Sequence, residues 1–145
     1  MAIDRKRLAF LKKEAVQGFT RTIGLVPVSL TEGKFVTRVK IEEHLCQQDG
    51  FAHAGLIAGM ADHTAGYSAY TLIPETHRIL TVEFKISYLR PAAGDWLECH
   101  ARVIKPGKQL LFTEAKIYAI RNGIKTLVAK SSYTMASVPA SRLNR

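Results

Sequence analysis

AHAGLIAGMADHTAGYSAYTL, residues 52–72, holds two opposed signals. Its alanines and apolar residues favour a helix, while Gly55, Gly59 and Gly66 each cost a helix roughly 1 kcal/mol relative to alanine. Gly55, Gly59, Asp62 and Gly66 recur at steps of four, three and four, so they share one helix face. Small residues there permit very close backbone approach, as expected of a helix gripped inside a sheet.

The flanking sequence supplies that sheet. Upstream, LVPVSL (25–30) and KFVTRVKIE (34–42) alternate apolar and polar residues around Thr31-Glu32-Gly33, the mark of a hairpin with one buried face. Downstream, HRILTVEFKISYL, DWLECHARVIK, KQLLFTEAKIYAI and IKTLVAKSSYTMA repeat the style. They are separated by Pro91-Ala92-Ala93-Gly94, Pro106-Gly107 and Asn122-Gly123, so four successive strands in an antiparallel meander are expected. Before all of these, residues 3–17 place Ile3, Leu8, Leu11, Ala15 and Val16 near helical spacing, with Asp4 in the first turn. The expected fold is a single α+β domain over residues 1–145: an N-terminal helix within 1–18, then a core over about 20–138 in which a curved antiparallel sheet wraps one central helix.

Composition narrows the class. A chain of 145 residues, 47% hydrophobic, is of the size of one domain with an ordinary core. Cys46 and Cys99 have no metal-ligand spacing and are too few to staple a secreted fold, so they read as free thiols. Lys12, Lys13 and Glu14 interrupt the apolar residues of the amino terminus, which therefore lacks a signal-peptide core, and no apolar window reaches the ~18 residues of a membrane span. A cytoplasmic location is expected. Lysine and arginine outnumber aspartate and glutamate by 21 to 12, a formal charge of +9 that suits a phosphorylated ligand, acidic lipid or nucleic acid. The basic residues are dispersed, with no aromatic-rich basic run, so neither nucleic acid nor membrane is an expected partner.

QQDGFAHAGLIAGMADHTAG (47–66) followed by TVEFKISYLRPAAGD (81–95) resembles the hotdog-fold acyl-CoA thioesterases of the phenylacetic-acid-degradation, or 4-hydroxybenzoyl-CoA thioesterase-like, type. The likeness covers most of residues 20–138. In that family a His-Gly-Gly signature opens the helix, an Asp follows nine residues after the His, an Asn lies six before it, and a Ser or Thr starts the next strand. Those positions fall here on His53, Asp62, Gln47 and Thr81. Ala54 stands for the first glycine and Gln47 for the asparagine; an oxyanion donor at 54 is a backbone N–H, which alanine supplies equally. The resemblance implies a thioesterase releasing free acid and CoA from an aryl-acetyl or medium-chain acyl-CoA, with no cofactor beyond the CoA of the substrate. It also implies a homo-oligomer, a dimer or a homotetrameric dimer of dimers.

Thioester hydrolysis needs a donor for the carbonyl oxygen and a carboxylate that activates water or attacks the carbonyl itself. The first amides of the central helix, Ala54 supported by Gly55, are the candidate donors, and Asp62, a carboxylate in an otherwise apolar stretch, is the candidate base or nucleophile. His53 is expected to shape the helix entry and Thr81 to orient water. His63, about 100° around the helix from Asp62, is expected to pack rather than react. That adjacency disfavours an enoyl-thioester hydratase, and Asp62 disfavours a non-catalytic acyl-thioester sensor; these are the two rival readings. No histidine or cysteine spacing suggests a metal. Arg90, Lys105 and Lys108 are candidate contacts for the CoA phosphates, and Phe51, Leu56, Met60 and Tyr67 for the acyl group, although such residues at helical spacing are commonly core. Ala54 and Asp62 lie eight residues apart, roughly 12 Å along a helix, so serving one carbonyl requires two subunits.

Overall fold

The computed structural model describes residues 3–144. Helix α1 (Arg5–Glu14) begins where the Asp4 side chain accepts the Lys6 amide, and α2 (Phe19–Thr22) is a single turn. Strands β1 (Val26–Thr31) and β2 (Lys34–Lys40) form the expected hairpin, followed by the central helix α3 (Ala54–Tyr70). Strands β3 (His77–Tyr88), β4 (Trp96–Lys105), β5 (Leu110–Arg121) and β6 (Ile124–Pro139) complete one antiparallel sheet of order β1-β2-β4-β5-β6-β3.

The meander expected of the last four strands holds only for β4, β5 and β6. Strand β3 pairs with β6 at the sheet edge, and β4 pairs with β2. The tight links are Pro106-Gly107 and Asn122-Gly123, the latter with φ of 50° and 76°, which suits a two-residue hairpin turn. The segment after β3 is different. Its Leu89 and Asp95 amides donate to the Val128 and Ile120 carbonyls, so it crosses the ends of β6 and β5 before β4 begins. Register shifts at Pro27/Ser29, Thr81/Glu83, Val103/Lys105 and Ile117/Tyr118 are bulges of the kind that bend a sheet around a helix.

Alternation assigns the two sheet faces. Leu97, Cys99 and Ala101 of β4 are buried towards α3, while Glu98, His100 and Arg102 point the other way. Met60 of α3 meets Leu97, Ile117 and Met135 in a core where each is fully buried; truncating any of them to alanine would cost about 2–5 kcal/mol. Two hydroxyl contacts fix the helix in the sheet. Thr64 and Thr37 share a buried 2.7 Å hydrogen bond, and the Thr71 hydroxyl accepts the Gly33 amide at 2.7 Å.

The glycine face behaves differently from the expectation of close contact with the sheet. A methyl at Gly59 would lie 3.0 Å from the Phe19 ring of α2, one at Gly55 3.0 Å from the ring of His53, and one at Gly66 would find ordinary contact with Ile79 at 3.9 Å. The close approaches are to two aromatic rings, and Gly66 is not sterically required.

Helix α1 docks on α3 through a second cluster, Leu11, Ala15, Leu30, Phe35 and Tyr67. Glu14 receives Arg78 at 2.7 Å, and the His63 ring donates to the Ala15 carbonyl from Nε2 at 2.7 Å. Burial lowers the His63 pKa from its ordinary 6.5, against the opposing pull of the Ala15 carbonyl and the Asp62 carboxylate. A folded pKa below the unfolded one contributes stability that is present above the unfolded value and is lost as pH falls through the folded value. Melting temperature should therefore drop more steeply in the wild type than in His63→Gln on acidification from about pH 7.5 to 5, a comparison that thermal unfolding monitored by circular dichroism will make. Parallel curves would remove His63 as the cause.

Candidate active site

The start of α3 is anchored before any substrate is considered. His53 is the N-cap: its Nδ1 accepts the Gly55 amide at 2.8 Å, its own amide donates to the Leu45 carbonyl, and its carbonyl accepts the Leu56 and Ile57 amides. Nδ1 must then be the unprotonated ring nitrogen, and His53 holds the helix entry in place. A methyl at Gly55 would lie 3.0 Å from the capping ring, so a larger residue there would press on the cap. The Gly55 amide is occupied by the cap, which corrects the assignment of Gly55 as a second oxyanion donor. The Ala54 amide has no acceptor among the described residues. It is the free donor at the positive end of a 17-residue helix.

Ala54 borders an open cavity of about 470 Å³. Its wall includes Gln47, Phe51, Ile57, Tyr88, Arg90 and Pro91. Gln47 reaches the site, but its Oε1 accepts the Asp49 and Phe51 amides, so in this state the side chain orders its own loop. The Gln48 amide beside it donates to the Asp49 carboxylate. Tyr88 was not singled out from the sequence: its hydroxyl donates to the Ala54 carbonyl at 2.8 Å. The available signal was its position as the last residue of the strand leading into Arg90-Pro91.

Asp62 lies farther along α3, partly exposed, and is absent from the lining of that cavity. Its Oδ1 accepts the Thr81 hydroxyl at 2.6 Å. The single hydroxyl proton of Thr81 is thus spent on the carboxylate, and Thr81 orients Asp62 itself where water was expected to be its target. His63 points to Ala15, so no imidazole faces Asp62 from its own helix, and a hydratase pair is not assembled here.

The remaining expectations divide. Phe51 lines the cavity, whereas Leu56 and Met60 are core and Tyr67 packs beneath α1. Of the basic candidates, Arg90 reaches the cavity while donating to the Leu127 carbonyl at 2.8 Å. Lys108 instead borders a depression with Leu72, Pro74 and His77 past the carboxyl end of α3, and Lys105 ends β4. One chain does not bring the three together, because α3 separates them by its length.

This geometry coincides with a family. Residues 49–124 match the Thioesterase superfamily. The chain belongs to that superfamily. A crystal structure of a thioesterase family protein from Silicibacter pomeroyi superposes with a TM-score of 0.88 at 32% identity, covering 91% of this chain and 98% of that one. Human acyl-coenzyme A thioesterase 13 is 29% identical over 120 residues, 81% of this chain and 84% of that protein. A candidate esterase of Pseudomonas aeruginosa is 32% identical over 87 residues, 59% of this chain, and the matched stretch spans 65% of that protein's length. The fold of this thioesterase is the hotdog fold expected from its motifs.

Replacing Thr81 by valine keeps the β-branched shape and deletes the bond to Asp62. Turnover of this thioesterase should fall about tenfold, the equivalent of ~1.4 kcal/mol, with KM and melting temperature little changed. Steady-state kinetics on an acyl-CoA with release of free thiol will measure it, and an unaltered kcat would dissociate Thr81 from the chemistry.

Proposed function

We propose that this thioesterase hydrolyses an acyl-CoA, of the aryl-acetyl or medium-chain class, to free acid and CoA without a further cofactor. The observation that carries the reading is the unpaired Ala54 amide at the rim of a cavity whose wall offers Phe51, Ile57, Tyr88 and Pro91 to an apolar acyl group. The thioester carbonyl oxygen accepts that amide, whose dipole favours the developing negative charge. Asp62, oriented by Thr81, supplies the carboxylate that activates water or attacks the carbonyl. Arg90 is the contact for a CoA phosphate from the same chain.

The carboxylate serving one Ala54 belongs to a second copy. Along one α3, Ala54 and Asp62 are separated by roughly 12 Å, too far for both to reach one carbonyl. Strand β3, which holds Thr81 against Asp62, is a 12-residue sheet edge bearing exposed Leu80, Val82 and Phe84. A long apolar edge is a liability in a monomer and a ready surface for a like chain. The smallest active unit is then a dimer, with a dimer of dimers as the larger assembly.

Asp62→Asn should fold and assemble while losing at least ~10²-fold in kcat. Near-normal turnover would sink the mechanism. Ala54→Pro deletes the donor at a position the backbone tolerates: Ala54 is the first helical residue, and His53, at φ −62° and ψ 138°, already has the extended conformation required before proline. The Pro variant should be inactive and Ala54→Gly active. Unfolding the Asn and Pro variants together and refolding them should restore activity, because each mixed dimer regains one site with an intact amide and an intact carboxylate. Mixed dimers identified by mass yet inactive would overturn the two-subunit site.

A further inference from the structure

The sheet face turned away from α3 carries a charge pattern that neither folding nor thioester hydrolysis uses. Strand register sets two adjacent rows across β2, β4, β5 and β6. One runs Lys34, Arg102, Glu114, Ser132, and the next runs Val36, His100, Lys116, Lys130. Directly opposite side chains in such rows have Cβ atoms about 4.5–5.5 Å apart, and like charges so placed are destabilising. Lys34 faces Arg102, and Lys116 faces Lys130.

The acids nearby do not relieve this. Glu114 is committed to Arg102 at 2.6 Å. Glu98, one row further, is engaged at 2.6 Å by each of Arg38, His100 and Lys125; burial raises its pKa, but those hydrogen bonds prevail and hold it at about 2. Lys34, Lys116 and Lys130 have no carboxylate within 4 Å among the described residues. Lys34, His100, Arg102, Glu114 and Lys116 border a shallow cavity of about 290 Å³ on this face.

We propose that this outer cavity binds a small multivalent phosphate anion, an inorganic diphosphate or the diphosphate of a nucleotide, at a site separate from the catalytic cavity. Mobile lysine ammonium groups act as point charges for phosphate, and Arg102, whose Nε is spent on Glu114, retains its terminal amino groups as donors. The cavity is at the small end of the ~300–1,000 Å³ range of ligand pockets, which suits an anion rather than a polymer. Tyr118, two residues past Lys116 on the same strand face, is half-buried with its ring against His100 at 5.4 Å, while Phe112, two residues before Glu114, is exposed beside the first row. A second copy packed here would set lysines against lysines.

The test is thermal unfolding of the full chain with inorganic pyrophosphate or ADP, each against sodium chloride at equal ionic strength. Pyrophosphate at about a hundredfold excess over its Kd should raise the melting temperature by about 5–10 °C beyond the salt control. A Lys34→Gln/Lys116→Gln double variant, altered only at exposed positions, should keep its fold and weaken binding at least ~10-fold. Lys116→Gln alone should melt no lower than wild type without ligand, since its repulsion with Lys130 is gone. A response to ADP as well as pyrophosphate identifies a nucleotide-borne diphosphate; a response to pyrophosphate alone identifies the free anion. No shift beyond the salt control, or equal shifts in wild type and double variant, would overturn the site. The double variant should retain the wild-type kcat/KM on acyl-CoA. A fall in kcat/KM matching the loss of pyrophosphate affinity would assign the cavity to the substrate's own phosphates and overturn its separateness.

Discussion

The first turn of α3 has to be fastened firmly while one of its amides stays free, and the rest of the structure serves that requirement. His53 caps the Gly55 amide and hangs its own amide on Leu45, while Ala52 donates to Ala92 in the segment that crosses the sheet end. Two loops distant in sequence thus converge on one helix terminus. Tyr88 closes the arrangement from β3 by bonding the Ala54 carbonyl. With the neighbouring groups satisfied, the Ala54 amide remains as an unpaired donor whose direction is set by the helix; in the proposed reaction such a donor, fixed in advance, would incur no reorganisation cost.

Cradling the helix imposes a second condition, since a sheet that wraps α3 on one face must solvate the other. Bulges bend the strands, and alternation sends Leu97, Cys99 and Ala101 to the helix and Glu98, His100 and Arg102 outward. A carboxylate as buried as Glu98 persists there because three donors compensate its lost hydration. Lys34, Lys116 and Lys130 on the same face lack such partners among the described residues, and strand register sets them opposite other cations.

The N-terminal helix depends on α3 as well. Gly59 makes room for the Phe19 ring, and His63 and Tyr67 reach Ala15 and Glu14. One face of the central helix is therefore given to an added layer instead of the sheet. That accounts for Gly59; Gly55 meets the ring of its own N-cap, and Gly66 faces Ile79 of β3.

The sequence by itself determined the element types, the hairpin at Glu32-Gly33, the central helix, the N-terminal helix and the family, because these rest on local periodicity, turn chemistry and short-range motif spacing. Through the family resemblance it also put forward Asp62, Thr81, His53 and Ala54 as candidates for the site. Only the tertiary structure decided that β3 leaves the meander to pair with β6, since strand partners are chosen by packing across the chain. It decided, too, that Gly55 is spent on a cap, that Thr81 holds the carboxylate, and that Tyr88 lines the cavity beside Ala54 while Lys105 and Lys108 of the same chain do not. Each of those outcomes turns on which hydrogen-bond partner or cavity a residue meets after folding, and a donor's partner cannot be read from its position in the chain when the two are 19 or 34 residues apart, as Thr81 is from Asp62 and Tyr88 from Ala54.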